Sequence, residues 1–206
     1  MPDGAHGEYR ALVGELAALV RLAHTALSGV TAVLTDPADD GEGIPAAEKA
    51  LAELLTRIEE DAAATPGGRA GVVVAVHVGC EVEALEQLAR RLLEAAWARQ
   101  EREPFDDRLR APVHGIASAA LDLVARSADA LESGAAEGVA DVLAELPEIG
   151  RRQRLLYELL LREPGTDPVD ATDLVLLSCC YQQCADRAGA IARNAVLFSH
   201  AGLREN

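Results

Sequence analysis

The sequence predicts an all-α protein, and three observations carry that prediction. Ala and Leu dominate an apolar fraction of 50%, whereas Phe, Trp and Tyr together supply 3%. That balance suits helices packed closely through small side chains and disfavours a sheet. Apolar residues recur at three- and four-residue spacing through six long segments, the period of one helical face. The segments are separated by stretches rich in Pro, Gly and Asp, which end helices. A chain of 206 residues also has enough material to bury a substantial core.

The first helix runs from Glu8 to about Asp36, with Leu12, Leu16, Leu19, Ala23, Leu27, Val30 and Leu34 on one face. Asp36 to Pro45 breaks it, and Ala46 to Ala64 resumes the spacing at Leu51, Leu54, Leu55 and Ile58. Thr65 to Gly68 is a second stop. Val72 to about Gln100 forms the third helix, whose early part is so apolar that it predicts the most buried member of a bundle. The β-branched run Val72 to Val74 is read as helix because polar periodicity follows it. Pro104 to Pro112 marks a midpoint break. Val113 to about Glu132, Val139 to Arg162 and Ala171 to His200 then give helices four, five and six.

Three helices therefore occur twice. Setting Val72–Leu93 against Ala171–Ala192, an offset of 99 residues, places Cys80 on Cys179, Glu83 on Gln182, Gln87 on Asp186 and Ala89 on Ala188. The expected organisation is two tandem three-helix bundles, residues 1–103 and 104–206, sharing one side because neither half has the material for a large core of its own. Helices of this length make a rod with long exposed faces, which suit docking.

The formal charge of −15, from 19 Lys and Arg against 34 Asp and Glu, repels phosphate backbones and argues against a nucleic-acid partner. Residues 1–10 lack the basic and apolar regions of a secretion signal. The most apolar run, Gly71 to Cys80, is interrupted by Glu81 and Glu83 well short of the roughly 20 residues that span a bilayer. A soluble, cytoplasmic protein without membrane insertion is expected. Cys179, Cys180 and Cys184 are crowded together, unlike a secreted disulfide framework, so the thiols are read as reduced. A bridge between Cys180 and Cys184, one turn apart in a regular helix, would be strained and constrain little.

Two segments carry a family resemblance. In the sixth helix, Leu176-Leu177-Ser178-Cys179-Cys180-Tyr181-Gln182-Gln183-Cys184-Ala185-Asp186-Arg187-Ala188 is followed by Ile191-Ala192-Arg193. This resembles the actinobacterial-type PhoU pattern of leucines, an aromatic pair and Glu-Arg-Phe-Ala-Asp-His-Ala, followed by a Val-Ala-Arg-like stretch. In the third helix, His77-Val78-Gly79-Cys80-Glu81-Val82-Glu83-Ala84-Leu85-Glu86-Gln87-Leu88-Ala89 resembles the family's Asp-x-Glu-Arg-x-Gly-Asp-x-Ala. The order of the six helices fits as well. The resemblance implies a PhoU-like fold of two pseudo-symmetric three-helix bundles and, in each repeat, an acidic pair spaced Glu-x-x-x-Asp that can share a metal ion such as zinc, iron or magnesium.

This chain departs from the family at those pairs. The first repeat keeps Glu83 but has Gln87, and the second keeps Asp186 but has Gln182. Pro66-Gly67-Gly68-Arg69 stands in place of the family's Pro-x-x-x-Asp-Leu-Arg entry to the third helix. Cys80, Glu83 and Gln87 share one helical stripe, and Cys179, Gln182 and Asp186 share the matching one. Each stripe offers a thiol, a carboxylate and an amide. Zinc accepts thiolate and carboxylate but needs four donors, and an amide is a weak ligand. The bland alternative, that the thiols fill core gaps and the amides hydrogen-bond across the bundle, fits the residues better, and no resident cofactor is expected.

Catalytic residues are not identified. The sequence has no Gly-rich phosphate loop, nucleophile elbow or His-Glu-x-x-His pattern. His77 and Glu81, four apart, have the spacing of a ligand or base pair but read better as a helix-surface or core hydrogen bond. The run Gly150-Arg151-Arg152-Gln153-Arg154 is basic on an acidic chain and reads as a solvated helix face or a contact for an acidic partner. The resemblance implies a non-enzymatic adaptor that negatively regulates phosphate uptake and the phosphate-starvation response. Its implied partners are the phosphate transporter ATPase subunit and a PhoR-type sensor histidine kinase, and a homodimer is left open. A diverged paralogue serving another transporter or kinase, and a helical metal-binding protein, are the alternatives.

Overall fold

The computed structural model describes residues 3–35, 41, 43–64, 68–100, 102–163 and 165–204. Six α-helices follow in order: α1 (Asp3–Thr35), α2 (Ile44–Ala64), α3 (Gly68–Arg99), α4 (Asp107–Ser133), α5 (Ala136–Arg162) and α6 (Pro168–Arg204). No strand occurs among the described residues, so the protein is an all-α bundle. The predicted breaks over residues 36–40 and 65–67, including Pro66 and Gly67, lie outside the described residues.

Four of the helices form a ring. α1 packs on α3 and α4, and α6 packs on the same two helices from the opposite side. α2 lies outside this ring against α1 and, more lightly, α3, whereas α5 packs about equally on α4 and α6. Side-chain pairs fix the directions. Glu81 of α3 meets Arg187 of α6, and Arg99 of α3 meets Asp170, so these two run antiparallel. Arg126 of α4 meets Glu145 of α5, Arg152 of α5 reaches back to Gly115, and the same antiparallel sense follows.

One contiguous apolar core runs through all six helices. The stripe of α1 supplies Leu12, Leu16, Leu19, Ala23, Leu27 and Val30, all buried, with Leu34 half-buried at its end. Each large apolar side chain removed from water contributes roughly 1.5–3 kcal/mol before its entropy cost. That burial also explains why Arg10–Thr35 is long and apolar enough to cross a membrane, with a mean hydropathy of 1.5 and 56% of the stretch buried inside the bundle. The expectation that no stretch reaches that length and apolarity is corrected for α1. Its apolar residues already have partners in α3 and α4.

Every helix starts earlier than the sequence reading, and at α4 and α6 a carboxylate cap sets the new start. α4 begins at Asp107, six residues before Val113, because the Asp106 carboxylate accepts from the Arg108 N–H at 2.8 Å and caps the first turn. Pro112, read as part of the break, therefore sits inside the helix, early enough that few backbone bonds are disturbed. α6 likewise begins at Pro168, where Asp167 accepts from the Val169 N–H at 2.7 Å and Pro168 occupies the first helical position. α4 ends at Gly134, in the left-handed region at φ 63°, whose N–H bonds Ala130 O at 3.0 Å. A further correction concerns the burial of α3. Val72, Val73 and Val76 are exposed, so its apolar start is not the most buried part of the bundle. α3 packs chiefly on α1 and α6, which leaves its outer side open.

Candidate functional site

The residues singled out by spacing lie on the outer sides of α3 and α6. Cys80, Glu83 and Gln87 are all exposed on α3. On α6, Cys179 and Gln182 are half-buried and Asp186 is exposed. The second stripe is already engaged in hydrogen bonds. Gln182 Nε2 donates to Asp186 Oδ1 at 3.2 Å. Cys179 Sγ accepts from Gln153 Nε2 at 3.5 Å and lies 3.3 Å from Tyr157 Oη, which joins α6 to α5. Burial, and secondarily the contact with Cys179, raise the Tyr157 phenol above its usual range.

On the second stripe the donors are engaged with protein partners. Among the described residues, no three or more His, Cys, Asp and Glu side chains come together to hold a metal ion. One carboxylate per stripe is fewer than a hard cation needs, and the thiol of the second stripe is turned to Gln153 and Tyr157. The Gln182 Oε1 is buried without a hydrogen-bond partner and lies 3.8 Å from where a Cβ on Gly150 would stand. An amide oxygen in that position faces the α5 backbone.

Cys184 is buried, and Cys180 is half-buried beside it. Burial pushes both thiols up, with only Arg91 opposing it at Cys180. Such thiols are poor nucleophiles at neutral pH. His77 is exposed, and Glu81 accepts instead from Arg187 Nη1 across the α3–α6 seam at 3.0 Å.

The basic run of α5 is partly neutralised by its own helix. Glu148 pairs with Arg151 and with Arg152, whose Nε lies 3.1 Å away. The two arginines, Arg152 first, hold the Glu148 carboxyl below its usual range. Arg152 also donates to Gly115 O of α4 at 3.0 Å, while Arg154 remains exposed.

Two arrangements escaped the sequence reading. At the α3–α4 junction, Arg99 Nη1 bonds Asp170 at 3.0 Å and Asp173 at 2.6 Å, and its guanidinium stacks 3.5 Å from the Phe105 ring centroid. Arg102 reaches Asp170 at 3.0 Å, Asp173 at 3.5 Å and Asp167 at 3.7 Å. The spacing of Asp167, Asp170 and Asp173, three apart on one helix face, together with Arg99 and Arg102 at the same spacing, was the available signal. Between α1 and α6, the Tyr181 and Thr31 hydroxyls meet at 2.9 Å. Nothing in a linear sequence pairs residues 150 positions apart.

Six helices in this order, with four in a central ring and one flanking each half, define a PhoU-like helical bundle. The chain superposes on the crystal structure of PhoU from Pseudomonas aeruginosa with a TM-score of 0.79, covering 95% of this chain and 98% of that one at 16% sequence identity. At that identity the likeness establishes the fold. No family profile matches the chain, and no curated protein matches it.

Proposed function

We propose that this protein is a PhoU-like regulatory adaptor in phosphate homeostasis. It restrains phosphate uptake and the phosphate-starvation response by contacting the phosphate transporter ATPase subunit, a PhoR-type sensor kinase, or both. The observation that carries this reading is the correspondence of nearly the whole chain with nearly the whole of a solved PhoU, at a TM-score of 0.79. Fold alone does not fix function; the resemblance of α3 and α6 to the family's patterned helices supports the same assignment. Two units, residues 1–103 and 104–206, are proposed as the repeated halves, supported by the way α2 flanks α1 and α3 while α5 flanks α4 and α6.

Action is by reversible association in the cytoplasm, without turnover. The long helices support this, since α6 alone has 37 residues, about 55 Å at 1.5 Å per residue, and presents shaped surface along its length. Deleting the gene and measuring phosphate uptake and phosphate-responsive transcription in phosphate-rich medium is the test. Both should rise. If both stay at wild-type levels with no redundant paralogue present, this reading fails. A second reading then replaces it: a diverged paralogue that regulates another transporter or kinase, favoured by Gln87 and Gln182 at positions where the family carries acids.

A further inference from the structure

α5 and the first half of α4 enclose a groove that the six-helix core does not use. Its volume is about 460 Å³, and it is lined by Pro112 and Gly115 of α4 and by Leu155, Leu156 and Leu159 of α5, with Arg152, Glu158 and Arg162 at its edges. Leu156 is fully buried and forms the floor, whereas Leu155 is 58% exposed. Residues 152, 155, 159 and 162 fall at helical spacing, so one side of α5 presents an apolar strip edged by arginines. Leu161, 86% exposed, lies about 120° round the helix from Leu155 and outside the groove. A solvated helix gains nothing from leucines at such positions, and clustered exposed apolar residues mark contact surfaces.

Charge selects the occupant. From Glu148 to Arg162, α5 carries four arginines against two glutamates, on a chain whose formal charge is −15. Arg151 and Arg152 share Glu148, and Arg162 lies 3.6 Å from Glu158 with both side chains more than half exposed. Exposed pairs within one helix turn hold their charges weakly, so a partner competes for them readily.

We propose that the α4–α5 groove is a docking site for an amphipathic helix of a partner protein, with apolar side chains seated against Pro112, Leu155 and Leu159 and acidic residues along its flanks. This rests on the reading of the chain as an adaptor and adds the surface it uses and the chemistry of the segment it takes. The helix-in-groove mode supplies affinity through the apolar anchors. The arginine rim supplies orientation and rejects basic segments.

A photo-cross-linking amino acid placed at Leu155 in the full chain, expressed in its host, tests this. Val76 of α3 and Leu176 of α6, also exposed, serve as reporters on the other face. The expected result is a cross-link from Leu155 to an acidic-flanked apolar segment of another protein, identified by mass spectrometry. Its yield should fall about tenfold in the Arg151→Glu, Arg162→Glu background, which reverses one arginine at the groove's edge and one a turn before Leu155, as expected when complementary rim charges become repulsive. Both arginines are exposed, and an unchanged melting temperature confirms that the variant folds. A cross-link to a second copy of this chain, to a basic segment, or one insensitive to charge reversal overturns the proposal. Cross-links only from Val76 or Leu176 overturn it while leaving the adaptor reading intact. Silence from both faces overturns both.

Discussion

The Tyr181 hydroxyl donates to Thr31 Oγ1 near the C-terminal end of α1, joining two helices that lie diagonally opposite in the central ring. The bond measures 2.9 Å, and both residues are buried. The direction follows from proton count. Thr31 has one hydroxyl proton, and it is spent on Leu27 O at 2.7 Å, so Tyr181 must be the donor. α1 and α6 each pack on α3 and α4, and this polar contact fixes their relative height where apolar packing alone would tolerate sliding.

Tyr181→Phe should therefore destabilise the protein by about 1 kcal/mol, the net worth of one buried hydrogen bond. Thr31→Val should cost more, roughly 2 kcal/mol, because it leaves a buried phenol without an acceptor. The double variant should cost less than the sum of the singles, since neither unpaired group then remains. Urea denaturation of the four proteins checks this. Strict additivity would mean that the contact contributes nothing.

Arg99 holds the two halves of the chain together at one end. Its side chain is 10% exposed, it bonds Asp170 and Asp173, and it donates to Glu103 O at 3.2 Å beside the Phe105 ring. Arg99→Ala leaves both aspartates to Arg102 alone and should cost roughly 2 kcal/mol. Arg99→Lys should recover little of that, because an ammonium cannot match the planar fork or stack as well on the ring. Thermal melts should place Ala and Lys variants close together, about 4–8 °C below wild type for a chain of this size. Full recovery by lysine would show that charge alone matters.

Stability should decline on the alkaline side. Burial raises the pKa of Cys184 and Cys180 above an ordinary value of 9.0, and that of Tyr181 above 10.0. The unfolded chain releases these protons first, so above about pH 9 it binds fewer protons than the folded one, and folding weakens as pH rises. Below about pH 9 the contribution is fully present. Cys184→Ala should flatten the fall in denaturation midpoint between about pH 8 and 10.5, whatever its cost at neutral pH. An identical slope in wild type and variant would place the alkaline sensitivity elsewhere.

Legibility in the sequence followed the range of the interaction. α1 was visible because its period-3.6 stripe is the same set of residues that the core buries, from Leu12 to Val30. Helix starts were missed at Asp106 and Asp167, where a carboxylate caps the first turn, and Pro112, read as part of a break, lies inside α4. The apolar start of α3 misled in the other direction, since hydrophobicity reports what a residue prefers and not which neighbours reach it. At the candidate site, one-turn neighbours such as Gln182 and Asp186 were legible and do bond. The Cys179 contacts with Gln153 and Tyr157 were not, because they depend on how α5 sits against α6.

The substituted acidic pairs lead to the last prediction. Wild-type protein should hold no stoichiometric metal after dialysis, and its melting temperature should not respond to magnesium, manganese or zinc. Each stripe has a single carboxylate, and Gln182 Nε2 already occupies Asp186. Gln182→Glu would replace the buried, unbonded Oε1 beside Gly150 with a carboxylate one turn from Asp186, exchanging a hydrogen bond for a repulsion. That variant should be less stable at neutral pH by roughly 1–2 kcal/mol, more than the few tenths that an exposed like-charge pair costs, because the oxygen is buried. Gln87→Asp, exposed four residues from Glu83, should cost almost nothing. In the double variant a divalent cation has two carboxylates at each stripe. Saturating one stripe should raise stability by about 2.7 kcal/mol at a hundred times its dissociation constant, recovering more than the mutations removed. Elemental analysis and melting curves with and without cation check both halves. About one metal or more per wild-type chain would show that the amides and thiols suffice, and a double variant indifferent to cations would show that the helix faces have diverged beyond the two side chains.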